Sequence, residues 1–590
     1  MTSTDGKRTL RFGVLCDAFE LEAWQVDCLE GLRRVGGCVP VVAVLNAAPR
    51  PRPGLLGRLI RSLTGGRLGW SVFDRLVASR ASPVTRRAPA PDWLLDLEKM
   101  ECAIVMRGRH SEYFTDEDVE RLRALKLDFL IKLGFGITRG AILDVARYGV
   151  WSFHHGDEAR YRGAPPCFWE IYHGDPVTGS ILQRLTDKLD GGVILKRGYF
   201  QTIFHSYAAN RDRAFAASTD WPAQVCRDIQ NGAADYLADP PTSSSAPIYR
   251  YPGTAQMVVF VFRVARNWLK RQFKELLFCD MWNVGVVDEP IEAIVRRGSV
   301  GHIRWMDPPG GDRYFADPCG VRLGSETWIL AEDYSYKGDH GVIAARRLSD
   351  GTGHGAWRPI FDAPWHLSFP QAFEHKGRIY CLPECAQSGE IALYSAESFP
   401  DRWAKVATLV ADFPGVDSTL FSSEGRWWLF CTDLERGHGS HLHVFYADAL
   451  TGPYTPHDNN PVKIDIRGSR PAGPLFSLDG VWLRPAQNGS RTYGHSITLN
   501  RILRLTPQVF EEVPILELLP DPNGHYRHGL HTIHGIGDIT LVDGKRQSFV
   551  PGVFLRRAIA KAAKLIPSQL NRKINSSVAG VRRGARVRKA

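Results

Sequence analysis

Residues 149–195 read GVWSFHHGDEARYRGAPPCFWEIYHGDPVTGSILQRLTDKLDGGVIL. Val150, Trp151 and Phe153 lead into His154 as a short apolar strand would, and the turn Arg160-Tyr161-Arg162-Gly163 follows. The run closes on Leu189-Asp190-Gly191-Gly192, a loop signature. A histidine at a strand end and a carboxylate 36 residues later can meet at one edge of a parallel sheet. Such a histidine titrates near neutral pH, so it can carry a proton, while the carboxylate sets its tautomer and charge. The stretch therefore predicts an α/β domain with a polar site at its strand ends.

Working outward, residues 9–16 and 39–45 read as strands flanking a helical pattern at 21–35 (Trp24, Cys28, Leu29, Leu32). Residues 102–107 and 128–133 predict further strands around a helix at 116–125, which extends a parallel sheet. No Gly-x-Gly-x-x-Gly follows the first strand, so a dinucleotide site is not supported. Residues 49–91, rich in Pro, Arg and Gly, read as an insertion or loop. The expected domain limits are 1–235 for the α/β unit, 236–281 for a linker and helix, 282–550 for an all-β unit, and 551–590 for a basic tail without fixed structure. The helix at 255–277 is expected to pack against a neighbour.

The net charge of +11 sits in the tail: residues 551–590 hold 11 Lys/Arg and no acid, so the rest of the chain balances. That placement speaks against nucleic-acid binding by the folded body and allows peripheral contact with an anionic membrane through the tail. Eleven scattered cysteines and a polar N-terminus predict a reducing, cytoplasmic setting. No apolar run approaches 18 residues.

From Trp282 onward, short strands alternate with turn signals. Five units align on Gly324, Gly377, Gly425, Gly480 and Gly544, at intervals of 53, 48, 55 and 64 residues. That period predicts a five-bladed β-propeller. Trp328, Trp365, Trp427, Trp428 and Trp482 are read either as blade packing or as sugar-stacking surfaces. His525, His528, His531 and His534 recur every third residue, a period that fits no single face of a strand, so no metal is expected.

The 149–195 run resembles the catalytic core of the tetrahydrofolate-dependent formyltransferases, the family of methionyl-tRNA formyltransferase and the sugar N-formyltransferases. The resemblance implies a Rossmann-like fold with 10-formyltetrahydrofolate as co-substrate. It makes His154 and Asp190 the catalytic pair. Ser152 stands where the family has asparagine, and loss of one oxyanion donor typically costs about 10²–10³ in rate. It assigns Leu133, Gly134, Phe135, Gly136 and Ile137 to the folate pocket, and Arg160, Tyr161, Arg162 and Gly163 to the border of the substrate channel. His155 is left between a supporting and a substrate-side role.

Residues 282–550, through HLSFPQAFEHKGRIYCLPE, DSTLFSSEGRWWLFCTD and Gly529-Leu530-His531-Thr532, resemble arabinanase-like propellers. They are more similar still to the N-terminal propeller of glucosamine inositolphosphorylceramide transferases. By that resemblance Asp317 is a candidate base and Asp417 a group that tunes a neighbour. Ala472-Gly473-Pro474 stands where a hydrolase shows Glu-Gly-Pro, and the offsets of Glu374 and Glu384 do not suggest a replacement acid. The expected function is N-formylation of an amino sugar or amino-sugar lipid, with a glycan-binding propeller. Two alternatives stand beside it: an accessory protein of glycan synthesis with an idle α/β domain, and a propeller-borne glycosidase or glycosyl transfer.

Overall fold

A computed structural model describes residues 8–47, 67–78, 82–108, 111–348, 356–437 and 439–565. Strand Leu10–Cys16 is buried at six of its seven positions and lies between two parallel neighbours, Cys38–Asn46 and Phe129–Lys132. A strand covered on both faces needs a continuous apolar run, which LRFGVLC supplies. Glu98–Cys102 adds beyond Cys38–Asn46, and Val150–His154 adds beyond Phe129–Lys132. Two antiparallel strands, Val177–Arg184 and Val193–Gln201, complete this side. Trp151 lies flat on Phe129, ring centroids 3.9 Å apart, and Phe129 stacks in turn on Phe12, so three adjacent strands share one aromatic column.

The sequence pattern at 102–107 resolves into two strands, Glu98–Cys102 and Ile104–Arg107, which pair in different sheets. Part of the 49–91 segment lies outside the described residues. Within it, Leu68–Phe73 is helical and turns Trp70 and Phe73 into an aromatic cluster with Phe168, Tyr207 and Phe260, so this piece is an ordered support and not a loop.

The second half contains four sheets of four antiparallel strands and a further antiparallel group that belongs to a larger sheet, arranged as a propeller-like ring. The first sheet joins the two ends of this half: Cys279–Val287 pairs along its whole length with Ile539–Ser548, from Cys279↔Ser548 to Val287↔Thr540. The second runs from Arg313–Leu323 to Arg358–Phe361, and the third from Ser368–His375 to Arg402–Val410. The fourth begins Gly415–Ser423 and the fifth is Phe476–Leu478 through Phe510–Leu518. One apolar cluster joins Val287, Ile533 and Val542 of the first sheet to Ile497, Leu499 and Leu518 of the fifth, which closes the ring.

Four of the predicted turn glycines, Gly324, Gly377, Gly425 and Gly480, sit at positive φ between the first two strands of their sheets. Gly544 does not. It lies inside strand Ile539–Ser548, and the equivalent turn is made by Gly537 at φ 58. With that correction the last interval falls from 64 to 57 residues, and the repeat becomes more even.

The two halves share a sheet. Val193–Gln201 pairs in parallel with Lys463–Asp465 (Gly198↔Ile464, Tyr199↔Asp465), and that strand pairs with His441–Ala447 of the fourth sheet. The result is one sheet of twelve strands. Around the seam, Gln224 Nε2 donates to the carbonyls of Asn459 and Pro461, and Arg467 stacks 3.8 Å over the Tyr199 ring.

The helix Thr254–Leu277 exists as expected, but its packing is thin: only Met257 and Phe260 are buried. Of the predicted tail, Pro551–Leu565 is an ordered helix, and residues 566–590 lie outside the described residues.

Gly473 has φ 143, and a Cβ there would sit 2.0 Å from the Ile533 carbonyl oxygen. Gly473→Ala is expected to destabilise the ring by about 2–4 kcal/mol, read as a lower melting temperature in thermal denaturation.

Candidate functional site

The parallel strands of the α/β half end at one edge, where Asp17, Lys132, Gly134 and His154 follow or close their strands. His154 Nδ1 lies 3.6 Å from Asp190 Oδ1, and its Nε2 lies 3.0 Å from the Tyr161 carbonyl oxygen. Asp190 holds φ 49 and accepts from Gly163 N at 3.1 Å, so the loop is fixed on the strand end. Ser152 is buried opposite Lys132 and Gln183. Lys132 is a member the sequence reading missed. Burial pushes its ammonium below the ordinary range, and Glu112, Asp17 and Asp190 resist that shift.

The 133–137 loop is held tightly. Leu133 N and Gly134 N donate to the Leu15 carbonyl, Phe135 N donates to Asp17 Oδ1 at 2.8 Å, and Gly136 N to Glu112. A Cβ on Gly134 would meet Asp17 N at 2.5 Å, which explains the glycine. Ile137 starts a short strand beside Ser111.

The Arg160–Gly163 turn divides its work. Arg160 pairs with Asp175 at 2.5 Å, and Tyr161 donates to the same carboxylate at 3.2 Å. Arg162 donates to the carbonyls of Leu189, Ser244 and Ala246, and Arg162 and Gly163 pair with Ile248 and Tyr249 of the linker. His155 is packed into the interior: it stacks 3.7 Å from Phe215, bonds Ser180 at 2.9 Å, and burial lowers its pKa to about 3.

The second site forms where the sheets of the ring converge. Asp317, Phe369 and Asp417 all hold positive φ (53, 43 and 49), each at a register shift in the first strand of its sheet. Gly473 carries the same role ahead of the fifth sheet. Left-handed non-glycine residues cost about 1–3 kcal/mol each and cluster where side chains must be aimed. Here the bulges place two buried carboxyls, Asp317 and Asp417, on the ring's inner side.

Charge is partitioned strictly. His531 lies between Asp317 Oδ1 (3.2 Å) and Asp543 Oδ2 (2.6 Å). Burial alone would lower its pKa, but the two carboxylates outweigh burial and raise it to about 9. Burial raises Asp317, with His531 opposing. For Asp543, the His531 cation and Thr532 overcome burial and hold the carboxyl below its usual range. On the other side Arg470 grips Asp417 in a fork, Nε–Oδ2 2.5 Å and Nη2–Oδ1 3.2 Å, and Gln487 donates to the same carboxylate. Between these pairs stand Glu332 and Glu384. Burial, reinforced by neighbouring carboxylates, raises both well above the normal range. Glu384 accepts from Asp417 N at 3.1 Å. Trp282 stacks on His531 at 3.9 Å, and exposed Tyr493 lies edge-on to it.

Glu384 thus belongs to the centre, although its offset argued otherwise, while Glu374 is exposed. The histidine series disperses: His534 accepts from Gly320 N at 2.8 Å, His528 from Gln547 N at 3.3 Å, His525 lies beside Arg546, and only His531 enters the acidic centre. Trp328, Trp427 and Trp428 pack within the sheets. Asp317, His531 and Asp543 bring ligand atoms within 4.8 Å of one another, a set able to hold a metal ion. A metal there has to displace the His531 proton, which the two carboxylates retain to about pH 9.

With this geometry in view, the similarities to known proteins divide along the chain. Residues 314–532 match the family described as Glucosamine inositolphosphorylceramide transferase 1, N-terminal. The protein of that name from Oryza sativa subsp. japonica is 37% identical over 211 residues, which cover 34% of this chain and 28% of the rice protein. The chain therefore matches less than a third of that relative's length. In the N-terminal region, methionyl-tRNA formyltransferase of Agathobacter rectalis is 28% identical over 121 residues, 20% of this chain and 39% of the relative. Among solved structures, Zg3597, a family 117 glycoside hydrolase of Zobellia galactanivorans, has a TM-score of 0.30 at 13% identity over 41% of this chain and 87% of its own.

These matches correct the enzyme assignment. The whole chain was expected to be a 10-formyltetrahydrofolate-dependent formyltransferase, but its longer and stronger similarity is to glucosamine inositolphosphorylceramide transferases. The formyltransferase matches are shorter and partial.

The His531 pair also sets a pH dependence. A group whose folded pKa is raised from 6.5 to about 9 contributes stability that is full below pH 6.5 and fades as pH rises toward 9. Lys545, lowered by burial to about 8, acts in the opposite sense above pH 8. The buried histidines His155, His366, His441, His443, His457 and His534, all lowered by burial, act in the opposite sense near pH 6.5. The His531 contribution is therefore read as a difference: the melting-temperature gap between the parent and His531→Gln should shrink as pH rises from 6.5 to about 9 in pH-resolved melting curves. Removing Arg470 leaves Asp417 buried and uncompensated, so Arg470→Ala should destabilise the protein by about 3–5 kcal/mol in denaturant titrations.

Proposed function

We propose that the chain is a carbohydrate-active transferase that moves a glycosyl unit onto a lipid headgroup at the acidic centre of a five-bladed propeller. The observation that carries this reading is the convergence of two buried acids on two fixed cations: Glu384, which accepts from Asp417 N beside Arg470, and Asp317, which pairs with His531. Glycosyl transfer needs an acid for the departing oxygen and a base for the incoming hydroxyl. Similarity to the glucosamine inositolphosphorylceramide transferases supports an amino sugar as the unit and a sphingolipid-type headgroup as the acceptor.

In this reading Glu384 gives its proton to the oxygen leaving the anomeric carbon, and Asp317 takes the proton of the acceptor hydroxyl as the new bond forms. Asp417 acts through Glu384: its charge raises the glutamic acid pKa, and its backbone N–H positions one oxygen. Arg470 and Gln487 keep Asp417 in place. Tyr493, partly exposed, carries Arg470 and Lys545 over its ring beside the buried His531. The α/β half is the rigid support to which the ring is joined.

The test follows label from amino-sugar donors into inositol-phospholipid acceptors, extracted into the organic phase. Asp317→Asn and Glu384→Gln should each lower transfer by at least about 10²-fold, with little change in melting temperature for Glu384→Gln and a lower one for Asp317→Asn, which takes a partner from His531. Undiminished transfer in Glu384→Gln removes the assignment of the acid, and undiminished transfer in both removes the site.

A further inference from the structure

The Thr254–Leu277 helix is long, ordered and poorly covered. One side anchors it: Met257 and Phe260, with Val264 beside them, enter the aromatic cluster of Phe168 and Tyr207. The opposite side carries Val258 (67% exposed), Phe262 (68%), Leu269 (51%) and Phe273 (63%). Their spacings of four, seven and four residues place them on one helical face. Arg266, Lys270 and Lys274, four residues apart and exposed, run beside that stripe. The helix holds five Lys/Arg and a single acid, Glu275, which is already paired with Arg271 at 2.5 Å.

A second helix continues the pattern. Pro551–Leu565 has four Lys/Arg and no acid, and it leaves Leu555 and Ile559 about 60% exposed, one turn apart. It is tied to the first helix through its cations: Arg557 Nη1 donates to the carbonyls of Glu275 (2.8 Å) and Phe278 (2.9 Å), and Lys561 Nζ bonds Gln272 Oε1 at 2.9 Å. Arg557 thereby satisfies carbonyls at the end of the first helix.

We propose that this helix pair docks the protein on the surface of an anionic lipid bilayer, with the Val258–Phe262–Leu269–Phe273 stripe entering the headgroup region and the adjacent cations meeting lipid phosphates. An apolar face flanked by Lys and Arg is the pattern of helices that lie in the interface plane. The long basic stems can follow the apolar surface while their charges stay in the polar layer. Charge decides between occupants. A second copy of this chain would bring the same excess of positive charge against itself, whereas an anionic bilayer neutralises it. The helices lie outside both sites described above, so the inference stands apart from the glycosyl-transfer reading.

The test is co-sedimentation of the full chain with vesicles of phosphatidylcholine alone and of phosphatidylcholine doped with phosphatidylglycerol. The parent protein should pellet with the anionic vesicles and be released by salt. The triple variant Phe262→Ser, Leu269→Ser, Phe273→Ser, at exposed positions and with an unchanged melting temperature, should lose at least about tenfold in partitioning. Lys270→Gln with Lys274→Gln should weaken the dependence on phosphatidylglycerol. Partitioning of the triple variant equal to that of the parent overturns the proposal, since the rest of the chain then accounts for lipid contact. A parent dimer that the triple variant converts to monomer, with vesicle binding unchanged, also overturns it and assigns the face to self-association.

Discussion

The antiparallel pairing of Cys279–Val287 with Ile539–Ser548 is the constraint on which the acidic centre depends. Asp543 lies on the closing strand, and His531 precedes the short strand that pairs with it. Without that pairing, the first and last strands of the ring remain 252 residues apart in sequence at their nearest ends. With it, Asp543, His531 and Asp317 are brought into one line of ion pairs. Ring closure and site assembly are therefore the same event, and the loop-closure entropy of the whole ring opposes both.

The ionic arrangement is costly to bury and is stabilised by being complete. Three carboxyls of the centre have a cation with directional contacts: Asp417 has Arg470, and Asp317 and Asp543 share His531. The acids without a cation of their own, Glu332 and Glu384, are pushed well above the carboxylate range by burial and the neighbouring carboxylates. His366, lowered by burial to about 4, lies 3.4 Å from Glu332, a carboxyl that burial pushes up, so burial disfavours charge on both sides of that contact. Strain is stored in the same place, in the left-handed backbone of Asp317, Phe369 and Asp417.

Local pattern was legible in the sequence, and long-range partnership was not. Apolar runs such as LRFGVLC and the turn glycines at 324, 377, 425 and 480 announce strands and hairpins because their cause lies within a few residues. The last unit was set on Gly544 because its true turn, Gly537, is followed by a strand that itself contains a glycine. Asp317 and Asp417 could be picked out by resemblance. Glu384, Glu332, Arg470 and Tyr493 could not, because their roles arise only when different sheets meet. Lys132 looked like a strand residue near a glycine loop, and its unusual environment comes from Glu112, Asp17 and Asp190, all distant in sequence. A lysine at the carboxyl end of a parallel strand was the available signal.

The shared twelve-stranded sheet has a mechanical meaning. Backbone hydrogen bonds run without a break from the Glu98–Cys102 edge through Lys463–Asp465 into the ring, and Arg467 clamps Tyr199 across the seam. Two lobes joined by a tether alone can change their separation freely; here such a change has first to break the pairing of Gly198 and Tyr199 with Ile464 and Asp465. The mouth of the ring therefore keeps one fixed offset from every other surface of the molecule, as the jaws of a locked caliper do. The spacing between the acidic centre and the α/β half is fixed for as long as that pairing holds.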